Sequence, residues 1–367
     1  MTPLQTTRRT LCAAALAALL QGCATPTIMN TVAYVSNADS RDIRVLALDR
    51  AQGSLRLLQT VPVGGTVMPL ALSPDRRTLY AALRSEPYTV AAFRIDAATG
   101  LLQPLATAPL PDSMAHIAVS PDGRWLYAAS YGGHRISVSP LAADGTPASA
   151  TQVLATGKNA HAAVPDAGGR RLYVTNLGSD QVMRFDVGTG GTLAADPAPP
   201  MKARAGSGPR HLVLAAGGRR AYLLNELDAT VDLLDVSDAG TLVPRATWPT
   251  LPPGFSGKPW AADLHLRPDG RFLYTSERTS STLAVWRVDA TSGTLALVGH
   301  QPTERQPRGF AIDGTGSWLL AVGQLSHAAT LYRIDRDSGL LSPSARLPLG
   351  QGPNWVEFLD VGVSSRP

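Results

Sequence analysis

The amino-acid sequence predicts an all-β fold: a seven-bladed β-propeller with four antiparallel strands per blade. Three observations carry this expectation. A large residue closes the same short strand pattern seven times, at Tyr34, Tyr80, Tyr127, Tyr173, Tyr222, Tyr274 and Leu320. By subtraction, successive members are 46, 47, 46, 49, 52 and 46 residues apart. A period of about 40–50 residues with several strands per unit is the mark of a propeller. Finally, the chain ends are out of phase with the repeat, opening on a second strand, Val32-Ala33-Tyr34-Val35-Ser36, and closing on a first strand, Asn354-Trp355-Val356-Glu357-Phe358. One blade is therefore shared between the two ends, and their pairing removes the open edge between first and last blades.

Each element of a blade has its own sequence reason. Ala115-His116-Ile117-Ala118-Val119 is a short first strand, and Ser120-Pro121-Asp122-Gly123 is a turn whose Pro and Gly supply the backbone angles. Trp125-Leu126-Tyr127-Ala128-Ala129 is the second strand, broken by Tyr131-Gly132-Gly133. Arg135-Ile136-Ser137-Val138-Ser139 alternates as the third, and a Gly-containing turn leads to a fourth, outermost strand. The first turn recurs as Ser73-Pro74-Asp75 and Arg267-Pro268-Asp269-Gly270, and the third strand as Val90-Ala91-Ala92-Phe93-Arg94 and Leu283-Ala284-Val285-Trp286-Arg287. The insertion at 251–260 accounts for the 52-residue gap.

Residues 1–26 form an export or lipoprotein-type leader, 27–360 the propeller and 361–367 a short tail. Arg8-Arg9 precede an apolar run, Leu11 to Leu20, too short to span a bilayer. Thr7-Arg8-Arg9-Thr10-Leu11 resembles a twin-arginine signal, and Leu20-Gln21-Gly22-Cys23 resembles a lipobox in which Cys23 would carry a lipid anchor; cleavage after Ala24 to a soluble periplasmic protein is the alternative. The expected location is periplasmic or envelope-anchored, as a monomer. Both cysteines, Cys12 and Cys23, lie in this leader, so the body has no disulfide, thiol nucleophile or Cys-based metal site. The net charge is +5 with only three lysines, Lys158, Lys202 and Lys258. Nucleic-acid binding needs a basic stripe or a recognisable module, and neither is present.

The repeat also locates a site. Residues at one register of a propeller sit at one height around its axis. Twelve and eleven positions before the reference residues lie Met68-Pro69, Ala115-His116, His161-Ala162, Arg210-His211, Ala262-Asp263 and Arg308-Gly309, joined by Asn354-Trp355. Four positions after them lie Ala38, Arg84, Tyr131, Leu177, Glu226, Arg278 and Gln324. The strands are antiparallel, so both registers open on one mouth. A structural repeat would be apolar or Gly-rich here. These registers instead collect His116, His161, His211, Arg84, Arg210, Arg278, Arg308, Glu226, Asp263, Tyr131, Gln324 and Asn354, and differ from blade to blade as an asymmetric ligand requires. A polar, water-filled mouth is the plain alternative for any single member.

Four Arg against Glu226 and Asp263 favour an oxygen-rich anion, since guanidinium pairs in a fork with carboxylate or phosphate. Glu226 among arginines stays ionised and could activate water, as could a neutral His161. Arg210 or Arg278 could stabilise a developing oxyanion. No Ser/His/Asp triad, nucleophile elbow or phosphate loop is present, so direct attack by water is the economical mechanism. Glu226, Asp263, Asn354 and His161 could ligate a metal, but no short ligand spacing supports one and four arginines would repel it. No metal or cofactor is expected.

Gly208-Pro209-Arg210-His211, Asn225-Glu226-Leu227, Trp260-Ala261-Ala262-Asp263-Leu264-His265, Glu277-Arg278-Thr279, Gln306-Pro307-Arg308-Gly309-Phe310 and Gly350-Gln351-Gly352-Pro353 together resemble the seven-bladed propeller lactonases, particularly bacterial 6-phosphogluconolactonases of the propeller type, over about 31–358. The resemblance implies a carboxylic ester hydrolase that opens a sugar 1,5-lactone. The family's proposed catalytic His, two Arg and Glu fall on His161, Arg210, Glu226 and Arg278. Arg84, His116, Tyr131, His211, Asp263, Arg308, Gln324 and Asn354 would then bind substrate. Two departures stand out: Ala162 replaces the usual Ser, and the leader suits a free gluconolactone better than a cytosolic phosphorylated sugar. The other readings are a non-catalytic envelope propeller, motivated by Tyr173-Val174-Thr175-Asn176, which resembles a surface-layer repeat, and a muconate-type cycloisomerase.

Overall fold

Seven separate sheets form a closed ring, each innermost strand packing against the next, in the computed structural model, which describes residues 30–362. Residues 1–26, expected from the sequence to be a leader and holding Cys12 and Cys23, and all but two residues of the expected tail lie outside the described residues. Blade 1 is built from both chain ends, in the order Pro353–Val361, Asn30–Asn37, Asp42–Asp49 and Ser54–Pro62. The terminal strands pair antiparallel from Asn30 opposite Val361 to Ser36 opposite Trp355. The innermost strands of blades 2 to 7 are Val67–Leu72, Met114–Val119, Ala160–Pro165, Pro209–Leu214, Ala261–Leu266 and Pro307–Ile312. Six blades have four strands. Blade 4 has five, because its outermost strand is split into Leu193–Ala195 and Met201–Lys202 around residues 196–200. That split lies within the 49-residue gap, and the sequence reading missed it.

Packing follows the ring. Seven hydrophobic clusters each join two adjacent blades: Tyr127, Ile136 and Val138 of blade 3 meet Leu172, Val174 and Phe185 of blade 4, for example. The seven reference residues lie in these interfaces and not on the axis, all at 0–1% exposure. Their identity has a polar cause. The hydroxyls of Tyr34, Tyr80, Tyr173, Tyr222 and Tyr274 donate to the carbonyls of Gly100, Gly145, Gly240, Gly293 and Gly339, each in an outer turn of the next blade. Each bond satisfies a buried hydroxyl and ties neighbouring sheets. Between blades 7 and 1, where Leu320 has no hydroxyl, Ser344 Oγ donates to the equivalent Gly53 carbonyl at 2.7 Å.

Candidate active site

All seven innermost strands break their ladder at the same height. The register shifts at Val67/Leu70, Met114/His116, Ala160/Ala162, Pro209/His211, Ala261/Leu264 and Pro307/Gly309, and at Pro353/Trp355 opposite Asn37/Ser36. The residues left unpaired include His161, Arg210, Ala262-Asp263, Arg308 and Asn354, which belong to the first register found in the sequence. Strand alternation would send neighbours such as Arg210 and His211 to opposite faces. A bulge re-aims the extra residue, so these two side chains meet, with Arg210 Nη1 3.2 Å from His211 Nε2. Side-chain hydroxyls support the bulges. Thr175 Oγ1 accepts from the Ala162 N–H and donates to the Arg210 carbonyl of the next blade, and Ser276 Oγ accepts from the Asp263 N–H.

Glu226 is the hub. Its Oε2 accepts from Arg210 Nε at 2.8 Å and pairs with Arg278 Nη2 at 2.9 Å, and its Oε1 accepts from Trp260 Nε1 at 3.1 Å. Arg210 also donates from Nη1 to the Ala262 carbonyl. Arg278 donates from Nε and Nη2 to the carbonyls of Trp260 and Ala261, and its guanidinium stacks 3.8 Å from the Trp260 ring centroid. Both guanidiniums are thereby fixed, while Arg210 Nη2 and Arg278 Nη1 make no hydrogen bond among the described residues. Burial and the Arg210 charge push Arg278 down to about 9. Burial pushes the Glu226 carboxyl up, but Arg210, Arg278 and Arg308 outweigh it, so its pKa lies below the ordinary value.

The three predicted histidines form one aromatic group. His211 meets His161 edge-on at 5.1 Å and His116 at 5.8 Å, and Tyr131 lies 6.0 Å from His161. Burial, then neighbouring positive or imidazole groups, holds His116 down at about 3, His211 at about 4 and His161 well below its usual value. All three are neutral at pH 7. His161 makes no hydrogen bond among the described residues, and its Nδ1 is buried. Arg84 donates from Nε to Ser113 and lies against Met68 Sδ. Arg308 makes no hydrogen bond or ion pair among the described residues, and burial with the Arg210 and Arg278 charges holds its pKa well below the ordinary value. The Gln324 side chain accepts from Gln306 Nε2 at 3.2 Å and has no other side-chain hydrogen bond among the described residues.

Asn354 requires a correction. At 1% exposure, its amide donates to the carbonyls of Ser36, Val67 and Gly352 and its Oδ1 accepts from Ser36. It braces the shared blade and faces no ligand. Gly309 is glycine for a related reason: a Cβ there would lie 2.5 Å from the Asn354 carbonyl oxygen. Trp355 instead reaches the site, edge-on to His116 and His211. It was legible as Asn354's partner in the register pair, but polarity favoured Asn354. Trp260 was missed because it sits in the insertion and not in the repeat. Among the described residues no His/Cys/Asp/Glu group is placed to hold a metal, and no helix is long and apolar enough to cross a membrane.

Residues 29–358 match the family model described as Lactonase, 7-bladed beta-propeller. The chain is 42% identical over 332 residues to a 6-phosphogluconolactonase of Pectobacterium carotovorum subsp. carotovorum, covering 90% of this chain and 99% of the relative. It is 40% identical over 328 residues to the enzyme of that name from Erwinia tasmaniensis, covering 89% and 98%. Among solved structures, a periplasmic gluconolactonase of Pseudomonas aeruginosa superposes with a TM-score of 0.84 at 29% identity, over 90% of this chain and 99% of that one.

Proposed function

We infer, because this chain belongs to the seven-bladed β-propeller lactonase family, that it hydrolyses a sugar 1,5-lactone to the aldonate at its channel mouth. One observation carries the placement. Arg210 and Arg278 are held by Glu226 and by the carbonyls of Ala262, Trp260 and Ala261, while Arg210 Nη2 and Arg278 Nη1 make no hydrogen bond among the described residues and are the donors available to an oxygen. Preorganised donors of this kind stabilise a carbonyl oxygen as it gains charge. Water adds to the lactone carbonyl carbon and its proton passes to a base. The C1–O5 bond then breaks, and O5 takes the proton back. His161 suits the base role better than Glu226: it is neutral and makes no hydrogen bond among the described residues, whereas both Glu226 oxygens already accept, Oε2 between two guanidiniums and Oε1 from an indole.

The preferred substrate is the 6-phosphorylated lactone. The relatives of that name cover almost the whole chain, and Arg308 presents a guanidinium with no partner among the described residues. A phosphate on such a group is worth a charge-assisted hydrogen bond of about 1.5–3 kcal/mol. Arg308→Ala should therefore lower kcat/KM for 6-phosphoglucono-1,5-lactone about 10- to 100-fold and change that for glucono-1,5-lactone little, both measured above spontaneous hydrolysis. Equal losses on both would remove the phosphate role. If wild type opened neither lactone, the non-catalytic reading would take over.

A second reading, free gluconolactone, is favoured by the export-like leader and by the name of the Pseudomonas neighbour. Export with Cys23 as lipid anchor belongs to this reading. Cell fractionation should then place the protein in the envelope, and a cytosolic pool retaining the leader would count against it.

A further inference from the structure

We propose that Asp263 and His211 are positioning residues for Arg210 rather than substrate ligands: Asp263 fixes His211 as the tautomer with a protonated Nδ1, and the bare Nε2 then holds the Arg210 guanidinium. The inference rests on Arg210 being an oxyanion donor.

The donor and acceptor inventory leaves one arrangement. Arg has donors only, so the His211 Nε2 that faces Arg210 Nη1 at 3.2 Å must be the acceptor. An ionised Asp is acceptor only, so the His211 Nδ1 that faces Asp263 Oδ1 at 2.8 Å must carry the hydrogen. The carboxylate is itself pinned. Oδ1 also accepts from the Leu264 N–H at 3.0 Å, and Oδ2 meets His265 Nε2 at 3.1 Å and the Phe310 N–H at 3.4 Å. Burial pushes the Asp263 carboxyl up, but His265 and His211 more than reverse this and hold it well below the ordinary range.

Both His211 nitrogens and both Asp263 oxygens are thus spent inside the protein, at 7% exposure for each residue. Neither has a polar atom left for a sugar, although the sequence reading counted both among the substrate ligands. A continuous chain runs from blade 6 to the reacting end: Asp263, His211, Arg210, Glu226. The titratable and charged groups facing His211 are Arg210 beside it, Asp263 and His265 of blade 6, His161 of blade 4 and His116 of blade 3, with the Trp355 ring edge-on. Of these, only Arg210 and Asp263 lie within hydrogen-bond distance of its ring nitrogens. Such partners orient the groups that do chemistry, and losing a hydrogen bond to a charged group costs about 10- to 100-fold.

The test is nitrogen NMR on histidine-labelled protein, with the His211 signals identified by their loss in His211→Gln. His211 should be protonated at Nδ1 and bare at Nε2. Asp263→Asn can turn its NH2 towards the ring and reverse the tautomer. It should lower kcat about 10- to 100-fold, leave KM within a few-fold, and move the His211 signals. His211→Gln can donate to Asp263 and accept from Arg210, so it should keep most of the rate that His211→Leu loses. A wild-type His211 protonated at Nε2 would overturn the proposal. So would full kcat in Asp263→Asn, or equal losses in the Gln and Leu variants. If instead Arg210→Met kept full activity while the tautomer stood as described, the oxyanion reading would fail and the positioning chain would survive as structure.

Discussion

Arg210→Met should lower kcat for lactone opening about 10²- to 10³-fold, the usual cost of one oxyanion donor. The reason is geometric. Nε is committed to Glu226, and Nη1 to the Ala262 carbonyl and His211, so the guanidinium cannot turn, and Nη2 makes no hydrogen bond among the described residues. Arg210→Lys separates charge from shape. It keeps the positive charge but replaces a planar fork with a mobile point charge, and should recover little of the lost rate. Steady-state kinetics on the three proteins would decide this, with KM changing much less than kcat because the contact tightens as the carbonyl oxygen gains charge. Near wild-type activity in the Lys variant would mean that net charge at the mouth matters and the fixed fork does not.

Glu226→Gln should cost both rate and stability. Arg210 and Arg278 have 1% and 2% of their side-chain surface exposed, and Glu226 has 12%. Removing the shared carboxylate leaves two buried guanidiniums facing each other, and an uncompensated buried charge costs about 3–5 kcal/mol. The pH dependence fixes the sign. The Glu226 pKa is depressed in the folded protein, so its contribution is fully present above the unfolded value of about 4.3 and is lost as pH falls through the folded value. Urea unfolding should therefore show the variant less stable at pH 7, with the gap to wild type closing in acid. A gap of the same size at pH 7 and in strong acid would show that the loss comes from shape and not from charge. An unchanged kcat would remove Glu226 from the catalytic machinery altogether.

The blade count, the shared closing blade and the height of the site could all be read from one period, because a propeller is its own alignment. Tyr222 and Tyr274 marked that period for a reason visible only in three dimensions, their bonds to glycine carbonyls of the next blade. The candidate site was legible wherever the repeat was broken by polarity: His161, Arg210, Glu226 and Arg278 all stood out, and the fold brings them together. Three kinds of information were hidden. Trp260 comes from a segment outside the repeat, so no register could mark it, yet it binds both Glu226 and Arg278. Asn354 and Trp355 are adjacent, and only the bulge decides which side chain reaches the mouth. His211 and Asp263 look like ligands by residue type, and only the contacts of the His211 ring nitrogens with Arg210 and Asp263 support the proposal that they position Arg210. The same bulge that hides this from strand alternation is what lets consecutive residues share one site.

The proposed reaction needs a lactone carbonyl between Arg210 and Arg278. A crystal structure with the lactam analogue of the substrate, which keeps the ring and the carbonyl but resists opening, tests it most directly. The analogue should lie at the channel mouth with its carbonyl oxygen about 2.7–3.1 Å from Arg210 Nη2 and Arg278 Nη1, and the attacked face of the ring open to His161. An analogue bound at saturating concentration away from the mouth, or at the mouth with its carbonyl turned from both guanidiniums, would contradict it.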